Sequence, residues 1–285
     1  MNLNELTKIA VKKIEADLFD DLNGKSLKND ITSNILISKK TKITAHLKVR
    51  EEIVLCGIHF VQNFIFERFP ELKLKLFYKD GQIVGKSSAI LEISGECKKV
   101  FMLERSVINF LQHLSSISTY TSRFVLLLKK SHTKLLNTRK TITGLRKLQK
   151  YATTVGGAKN HRMGLHDEIL IKDNHIEVLG GIDNTLKVLK EKNIKNYKIE
   201  CETIEEVKKS MLAGAKYILL DNMSPLEIKK SIGLKEKYNF LTTFEITGGI
   251  NLKNFKKFIF LGADYISTGK ITNSANSVDI GLDII

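Results

Sequence analysis

Six short apolar segments alternate with helix-like segments between residues 134 and 270, and this alternation constrains the fold more than any other feature of the chain. The predicted strands are 135–137, 168–171, 197–201, 217–220, 241–246 and 265–267. The candidate helix N-caps are Thr203 in a capping box with Glu206, Ser224 before Pro225, Asp183 and Asn251. Repeated strand–helix units predict a sheet of parallel strands, arranged either as an α/β barrel or as a doubly wound sheet.

The first hundred residues have a different pattern, typical of an α+β structure with antiparallel strands. An amphipathic helix is predicted over 3–18, a half-buried strand over 43–49, a largely buried helix over 53–69, and short strands over 72–76 and 82–93. Residues 99–130 then read as two helices. The chain therefore combines an antiparallel N-terminal part with a parallel C-terminal part.

The chain has 285 residues, of which 42% are apolar, enough for a globular protein with one large domain or two. It contains no uninterrupted apolar run of about twenty residues, so no membrane span is expected, and no signal peptide is visible. The cysteines (Cys56, Cys97 and Cys201) lie far apart and match neither a metal motif nor a disulfide framework. We therefore expect a cytoplasmic protein.

The formal net charge of +15 has three explanations that composition alone does not separate. A basic patch could bind nucleic acid, a cationic cleft could attract an anionic substrate, or the charge could reflect amino-acid bias across a lysine-rich proteome. The lysines are spread over the chain among Asn and Ile, and no basic tract interleaved with aromatic residues is visible.

Polar or glycine-rich residues follow each of the six predicted strands, where barrels and open α/β sheets bind their ligands. In strand order they are Thr138-Arg139-Lys140, Lys172 to His175, Glu200 with Glu202, Asp221-Asn222, Thr247-Gly248-Gly249 and Ser267-Thr268-Gly269. His161-Arg162 follows a turn at Gly156-Gly157. We expect all these residues to meet at one edge of the sheet.

The residue types at this edge indicate the chemistry. Two arginine forks with lysines suit a substrate that carries more than one anionic group. The carboxylates suit a divalent cation, or positive charge that grows in a transition state, and glycosyl transfer from a phosphorylated ribose needs both. The two glycine-rich strand ends suit a phosphate held by backbone N–H groups. Glu202 has a simpler explanation, because a carboxylate there favours the start of the following helix.

Many of these segments resemble the quinolinate phosphoribosyltransferase family, also called nicotinate-nucleotide pyrophosphorylase, and the resemblance covers nearly the whole chain. The central segments are Thr138-Arg139-Lys140-Thr141, Gly144-Leu145-Arg146, Gly156-Gly157 before His161-Arg162, Gly164-Leu165 and Ile171-Lys172-Asp173-Asn174-His175. The others are Asp30-Ile31-Thr32, Glu104-Arg105, and residues 109–112, 199–202, 219–223, 245–250, 262–267 and 279–283.

The resemblance implies an N-terminal α+β sandwich domain (1–105), an incomplete, TIM-like parallel α/β barrel (106–270), and a C-terminal segment (271–285) that can return to the first domain. It implies transfer of phosphoribose from phosphoribosyl pyrophosphate to quinolinate, with loss of CO₂, to give nicotinate mononucleotide. Mg²⁺ is the implied cofactor. The implied assembly is a homodimer or higher homo-oligomer with shared active sites.

The resemblance also implies a role for each site residue. The implied substrate-binding residues are Arg105, Thr138, Arg139, His161, Arg162 and Lys172, with Arg105 reaching into the neighbouring subunit's site. The implied catalytic residues are Lys140, Glu200 and Asp221, of which Glu200 and Asp221 would hold Mg²⁺ directly or through water. The implied phosphate-binding residues are Thr247, Gly248, Gly249, Ser267, Thr268 and Gly269.

Two alternatives stay open beside this reading. A related enzyme could use another aromatic carboxylate as acceptor; a family associated with molybdenum transport shares the Thr-Arg-Lys and His-Arg segments but generally lacks the Ile-Lys-Asp-Asn-His block. A basic nucleic-acid-binding protein is the alternative from another class. No nucleic-acid-binding motif is recognisable, and the acidic residues at the predicted site would repel phosphate backbones, so we expect no nucleic-acid partner.

Overall fold

The structure is a computed structural model that describes residues 2–24, 26–238 and 241–285, and its internal contacts divide the chain into two compact units. The first unit contains residues up to Ser122 together with Gly144–Gly156 and Ala275–Ile285, and the second contains Arg123–Thr143 and Gly157–Ser274. These contact-based bounds are not those predicted from the sequence (1–105, 106–270 and 271–285), which stay a prediction.

The helices and strands are numbered in chain order. The helices are α1 (Leu3–Asp21), α2 (Ile31–Leu36), α3 (Ile58–Arg68), α4 (Cys97–Leu127), α5 (Arg146–Val155), α6 (Asp173–Val178), α7 (Ile182–Glu191), α8 (Ile204–Leu212), α9 (Pro225–Tyr238) and α10 (Lys270–Asn273). The strands are β1 (Lys42–Val49), β2 (Ile53–Val54), β3 (Lys73–Leu76), β4 (Ile83–Val84), β5 (Ala89–Glu96), β6 (Lys134–Leu136), β7 (Leu170–Ile171), β8 (Lys198–Cys201), β9 (Tyr217–Asp221), β10 (Thr243–Thr247), β11 (Tyr265–Ser267) and β12 (Ile280–Ile284).

The first unit is built on an antiparallel sheet in the order β12-β1-β5-β3. Strand β1 alternates buried residues such as Leu47 and Val49 with more accessible neighbours, as period-two patterning predicts. Helix α1 buries Leu6, Ala10 and Ile14, so its predicted amphipathic face is confirmed. The last strand of the chain, β12, pairs with β1.

Two predictions for the N-terminal part are wrong. Residues 53–69 are not one helix, because Ile53 and Val54 pair with β4 and Gly57 has the left-handed φ of 99° that ends helical continuity. Residues 99–130 do not form two helices, because α4 contains neither Pro nor Gly. Within α4 the hydroxyls of Ser116, Ser118 and Ser122 donate to carbonyls of the same helix, so these polar residues do not interrupt it.

The second unit is built on a fully parallel sheet in the order β6-β11-β10-β9-β8-β7. The strands follow one another around the sheet, and the first of them, β6, pairs with the last, β11. A doubly wound sheet would instead change direction after its first strands. The winding is that of an α/β barrel left open between β6 and β7, so the predicted fold class is confirmed.

The helix starts of the second unit follow the predicted caps in two cases. Thr203 forms a capping box with Glu206, and Pro225 is the first residue of α9. The prediction for Asp183 is wrong, because α7 begins at Ile182 after Gly181. The Asn251 side chain accepts from two backbone N–H groups of a turn, and only a short 3-10 helix follows at Phe255–Lys257. In the described parts of the chain, no helix combines the length and apolar character that a membrane crossing needs.

Candidate active site

A cavity of about 250 Å³ opens at the carboxyl ends of the parallel strands of the second unit. Twelve of the fifteen predicted site residues line it: Thr138, Arg139, Lys140, His161, Arg162, Lys172, Glu200, Asp221, Thr247, Gly248, Gly249 and Ser267. Leu170, Leu219, Asn222 and Glu245 complete the lining. The prediction that these strand ends meet at one edge of the sheet is confirmed, because parallel strands end on the same side.

Asn222 was expected there beside Asp221, whereas Leu170, Leu219 and Glu245 were missed because they lie within the strands and not after them. Leu219 and Glu245 lie two residues before Asp221 and Thr247, and side chains two residues apart on a strand share a face. They are also neighbours across the β9–β10 pairing. Alternation along the predicted strands was the signal that could have found them.

Arg139 and Arg162 both line the cavity, and their guanidinium groups are together called the guanidinium end. Arg162 is buried and its Nη1 donates to the carbonyl of Glu168 at 3.0 Å. Burial lowers the pKa of Arg162, and the nearby positive charge of Arg139 lowers it further, against the opposing effect of acidic neighbours such as Glu200. The Nε of Arg139 is buried without a hydrogen-bond partner in the described structure. A buried cation and a partly buried cation that repel each other form a site for an anion.

Lys172 and the carboxylates Glu200 and Asp221 also line the cavity. The Nζ of Lys172 donates to Oε1 of Glu200 at 2.5 Å. Burial raises the pKa of Glu200 and Lys172 lowers it in part, while Asp221 and Asp173 raise it. Burial also raises the pKa of Asp221, against Lys172 and Lys140. These carboxylates are therefore short of positive charge, which suits a metal ion or a cationic transition state.

A glycine turn also lines the cavity. Gly248 has φ of 87° and Gly249 φ of 59°, a left-handed backbone that only glycine adopts without strain. The backbone N–H of Asn222 donates to the carbonyl of Thr247 at 3.1 Å, which ties this turn to the end of β9. The two glycines expose backbone without side chains, as a phosphate-binding turn requires.

Three predicted site residues are not among those that line the cavity. Thr268 is buried and its hydroxyl donates to the carbonyl of Ile250 at 2.7 Å. Gly269 lies directly behind the cavity, where an added Cβ would be 2.9 Å from Cβ of Lys140. Arg105 belongs to the first unit, with its side chain 67% exposed and its Nη2 3.3 Å from Glu104. The roles assigned to these three residues stay predictions.

Comparison with known proteins decides the family. The family model described as quinolinate phosphoribosyl transferase, C-terminal domain, matches residues 117–283, and the model of the N-terminal domain matches residues 30–115. The chain belongs to the quinolinate phosphoribosyltransferase family. A protein of Methanocaldococcus jannaschii named probable nicotinate-nucleotide pyrophosphorylase [carboxylating] is 37% identical over 265 residues, covering 90% of this chain and 92% of its own. A protein of Bacillus subtilis with the same name is 34% identical, covering 90% and 88% of the two chains.

Solved structures of quinolinate phosphoribosyltransferases have the same fold. The nicotinate-nucleotide pyrophosphorylase from Francisella tularensis superimposes with a TM-score of 0.88 at 32% identity, over 98% of this chain and 97% of that one. The protein of that name from Ehrlichia chaffeensis gives 0.87 at 35% identity, over 100% and 99%. The similarity extends through both units, so the whole chain and not only the barrel follows the family architecture.

Proposed function

We propose that this quinolinate phosphoribosyltransferase transfers phosphoribose from phosphoribosyl pyrophosphate to quinolinate and releases pyrophosphate, CO₂ and nicotinate mononucleotide, a step of de novo NAD synthesis. The observation that carries the proposal is that one cavity is lined by two guanidinium groups, a glycine turn, two carboxylates and Lys172. Such a cavity can hold a dianionic acceptor and a phosphorylated donor in contact. Family membership supports the same conclusion.

The guanidinium end binds the acceptor. Quinolinate carries two adjacent carboxylates, and the forks of Arg139 and Arg162 match such groups in charge and in planar geometry. Lys172 completes the set, with Thr138 and His161 as neighbouring contacts. Because Arg162 and His161 are buried, the bound dianion supplies a counter-charge that water does not, and its carboxylates are in turn stabilised by matched hydrogen bonds.

The reaction itself takes place within this cavity. The ring nitrogen of quinolinate donates its lone pair to C1 of the ribose while pyrophosphate leaves with the electron pair of the broken C–O bond. Positive charge on the sugar carbon is stabilised by Glu200 and Asp221, and Lys140 neutralises the leaving diphosphate. The 2-carboxylate then leaves as CO₂, and the ring carbon keeps the electron pair and takes up a proton.

Magnesium fits this arrangement as a substrate-borne ion. The described residues contain no cluster of three His, Cys, Asp or Glu side chains that would form a protein cage for a metal. Mg²⁺ typically keeps several waters and takes one or two carboxylates together with substrate phosphates, and Glu200 and Asp221 supply that number. When bound, the ion neutralises the diphosphate and helps it to leave.

The assembly and the location are parts of the same proposal. A homodimer or higher oligomer is supported by the exposure of Arg105, which leaves its guanidinium available to a neighbouring subunit. A cytoplasmic location is supported by the three cysteines, which are all buried thiols, as is usual for proteins of reducing compartments.

Product analysis tests the reaction. The protein is incubated with Mg²⁺, phosphoribosyl pyrophosphate and quinolinate labelled with ¹⁴C in the 2-carboxylate. The label should be released as CO₂, in an amount equal to that of the unlabelled nicotinate mononucleotide formed. Nicotinate in place of quinolinate is the matched control and should give no product. Product from nicotinate without CO₂ release would indicate another acceptor, and no product from either would contradict the proposal.

A further inference from the structure

Glu245 is a buried carboxylate that lines the cavity, and it is neither a ligand of the substrates nor a catalytic group in the proposed reaction. It lies on the inner face of β10 among the residues that line the cavity, and its side chain is 1% exposed. A fully buried carboxylate is costly unless its surroundings hold it in place. Glu245 lies beside His161, one of the residues assigned to the acceptor.

Two side chains contact the same oxygen of Glu245. The hydroxyl of Tyr217 donates to Oε2 at 2.7 Å, and Nε2 of His161 lies 3.5 Å from that oxygen. Burial alone would raise the pKa of Glu245, but interactions with His161, Ser267 and Tyr217 lower it overall. The carboxylate is therefore ionised and acts as a hydrogen-bond acceptor.

The other nitrogen of His161 shows where the ring proton lies. The backbone N–H of Arg162 donates to Nδ1 of His161 at 2.7 Å. A ring nitrogen that accepts a hydrogen bond carries no proton, so the proton of the neutral ring is on Nε2, the atom that faces Glu245. A doubly protonated ring would set Nδ1–H against the N–H of Arg162. In this geometry the proton on Nε2 of His161 faces Oε2 of Glu245 at a distance of 3.5 Å.

The contacts continue into a closed ring of six residues, linked through side chains and through the backbone of Arg162 and Glu168. Nη1 of Arg162 donates to the carbonyl of Glu168 at 3.0 Å, and the Glu168 carboxylate pairs with Lys198 at 2.7 Å. The ammonium of Lys198 lies 4.3 Å from the centre of the Tyr217 ring, and Tyr217 donates back to Glu245. Both the backbone nitrogen and the guanidinium of Arg162 are held by this ring.

We propose that Glu245 is a positioning residue for the acceptor end of the cavity. It fixes His161 as the neutral ring with its proton on Nε2, and through His161 it fixes the backbone and guanidinium of Arg162. The proposal rests on the proposed function, in which Arg162 binds an acceptor carboxylate. In this arrangement His161 orients Arg162, so quinolinate recognition depends on an acceptor oxygen at residue 245.

Two substitutions separate this role from a general need for a negative charge. Glu245→Gln keeps an acceptor oxygen and loses the charge, whereas Glu245→Met has nearly the same length and no acceptor oxygen. Glu205→Gln is the control, because Glu205 is an exposed carboxylate of the same unit. KM for quinolinate should rise about tenfold or more in the Met variant and stay within about threefold in the Gln variant, with KM for phosphoribosyl pyrophosphate nearly unchanged in both.

Nitrogen NMR of ¹⁵N-histidine-labelled protein reads the ring proton directly, and His161→Asn assigns the signal. The wild type and the Gln variant should show the neutral ring with its proton on Nε2, and the Met variant should lose that pattern. An unchanged quinolinate KM in the Met variant, equal losses in the Gln and Met variants, or a wild-type His161 that is doubly protonated or protonated on Nδ1 would each overturn the proposal.

The NMR measurement keeps the result interpretable in two situations. If Glu245→Met does not fold, the position of the proton in the wild type and in the Gln variant still supports or overturns the proposal. If the wild type does not use quinolinate, the proposed function fails, but the ring proton is measured without substrate and still decides what Glu245 does to His161.

Discussion

Lys172 and Glu200 form an ion pair in which Nζ lies 2.5 Å from Oε1, yet the pKa of Glu200 is raised and not lowered. Burial is the largest cause and outweighs the lysine, and the neighbouring Asp221 and Asp173 act in the same direction as burial. In the free protein, Lys172 therefore does not fully offset the cost of burying the Glu200 carboxylate. A cation bound at this point would relieve the shortage of positive charge, as an active site that stabilises a cationic transition state requires.

The first prediction concerns Glu200→Gln and the pH dependence of stability. A carboxyl group whose pKa is raised on folding binds its proton more tightly in the folded state than in the unfolded state. The contribution of Glu200 to the free energy of unfolding is therefore fully present below its ordinary pKa of 4.5 and is lost as the pH rises from there through the raised pKa of the folded state. The free energy of unfolding of the Gln variant should therefore exceed that of the wild type at pH 7, and the difference should vanish below pH 4.5.

Chemical denaturation of both proteins across this pH range measures the difference, and because the two proteins share all their other carboxylates, the comparison isolates Glu200. Activity should move in the opposite direction, since the variant lacks the charge that stabilises the sugar carbon. A Gln variant less stable than the wild type at pH 7 would show that the pair with Lys172 outweighs burial.

The second prediction concerns Gly248→Ala. An added Cβ would lie 2.5 Å from the backbone nitrogen of Asn222, and φ at this position is 87°, so the substitution introduces both a clash and strain. Because the displaced turn is the proposed phosphate site, kcat/KM for phosphoribosyl pyrophosphate should fall about a hundredfold, while calorimetry should show quinolinate binding nearly unchanged.

Gly233→Ala is the matched control for that experiment. Gly233 lies within α9, and an added Cβ there has no neighbour within 4 Å. The control should leave activity unchanged and raise stability by about 0.5–1 kcal/mol, because alanine favours a helix over glycine. Equal effects of the two substitutions would mean that the turn at Gly248 does not hold the donor.

The strand positions of the barrel were predictable from local patterns, but its winding was not. Each apolar run is long enough to be recognised locally, and β11 was predicted to the residue, while β7 proved two residues shorter than the predicted strand 168–171. Pairing between β6 and β11 joins segments about 130 residues apart, and no local pattern contains that information. Apolar runs and turn signals therefore predicted parallel strands without separating a barrel from a doubly wound sheet, whereas the family resemblance implied the barrel that the structure confirms.

The site was predictable where function follows a strand end and unpredictable where it lies within a strand. Arg139, Lys172 and Asp221 each belong to a short polar segment that follows an apolar run. Glu245 sits inside the apolar run of β10 and is explained only by His161 and Tyr217, which come from other parts of the chain. The pairing of distant residues decides the state of a buried carboxylate, and sequence patterns do not report it.

The third prediction concerns the guanidinium end. Arg139→Ala or Arg162→Ala should weaken quinolinate binding by about 2–5 kcal/mol, because each removes a charge-assisted partner from a desolvated anion. Binding of phosphoribosyl pyrophosphate should change far less. Arg123→Ala, which removes an exposed arginine of the same unit, serves as the control. Calorimetry that shows unchanged quinolinate affinity in both site variants would remove the two arginines from the acceptor site.

The last prediction concerns Arg105 and tests the proposed shared active site. Arg105 lies on α4 of the first unit with an exposed side chain, and the proposal places it in the active site of a neighbouring subunit. Arg105→Ala and Lys172→Ala should then each be nearly inactive, since every site of either homodimer lacks one cation. In a mixed dimer, one site lacks both cations, and the other combines an intact Lys172 with an intact Arg105 from the partner.

Mixing the two variants should therefore restore activity. With random pairing, half of the dimers are mixed and each has one working site of two, so recovery should approach roughly a quarter of the wild-type activity under two-fold symmetry. Light scattering establishes the oligomeric state, and exchange of differently tagged subunits is shown independently. If exchange occurs and no activity returns, Arg105 serves its own subunit or the fold alone. An arginine supplied by the partner would have to restore the site of the Arg105→Ala subunit, which keeps its own Lys172.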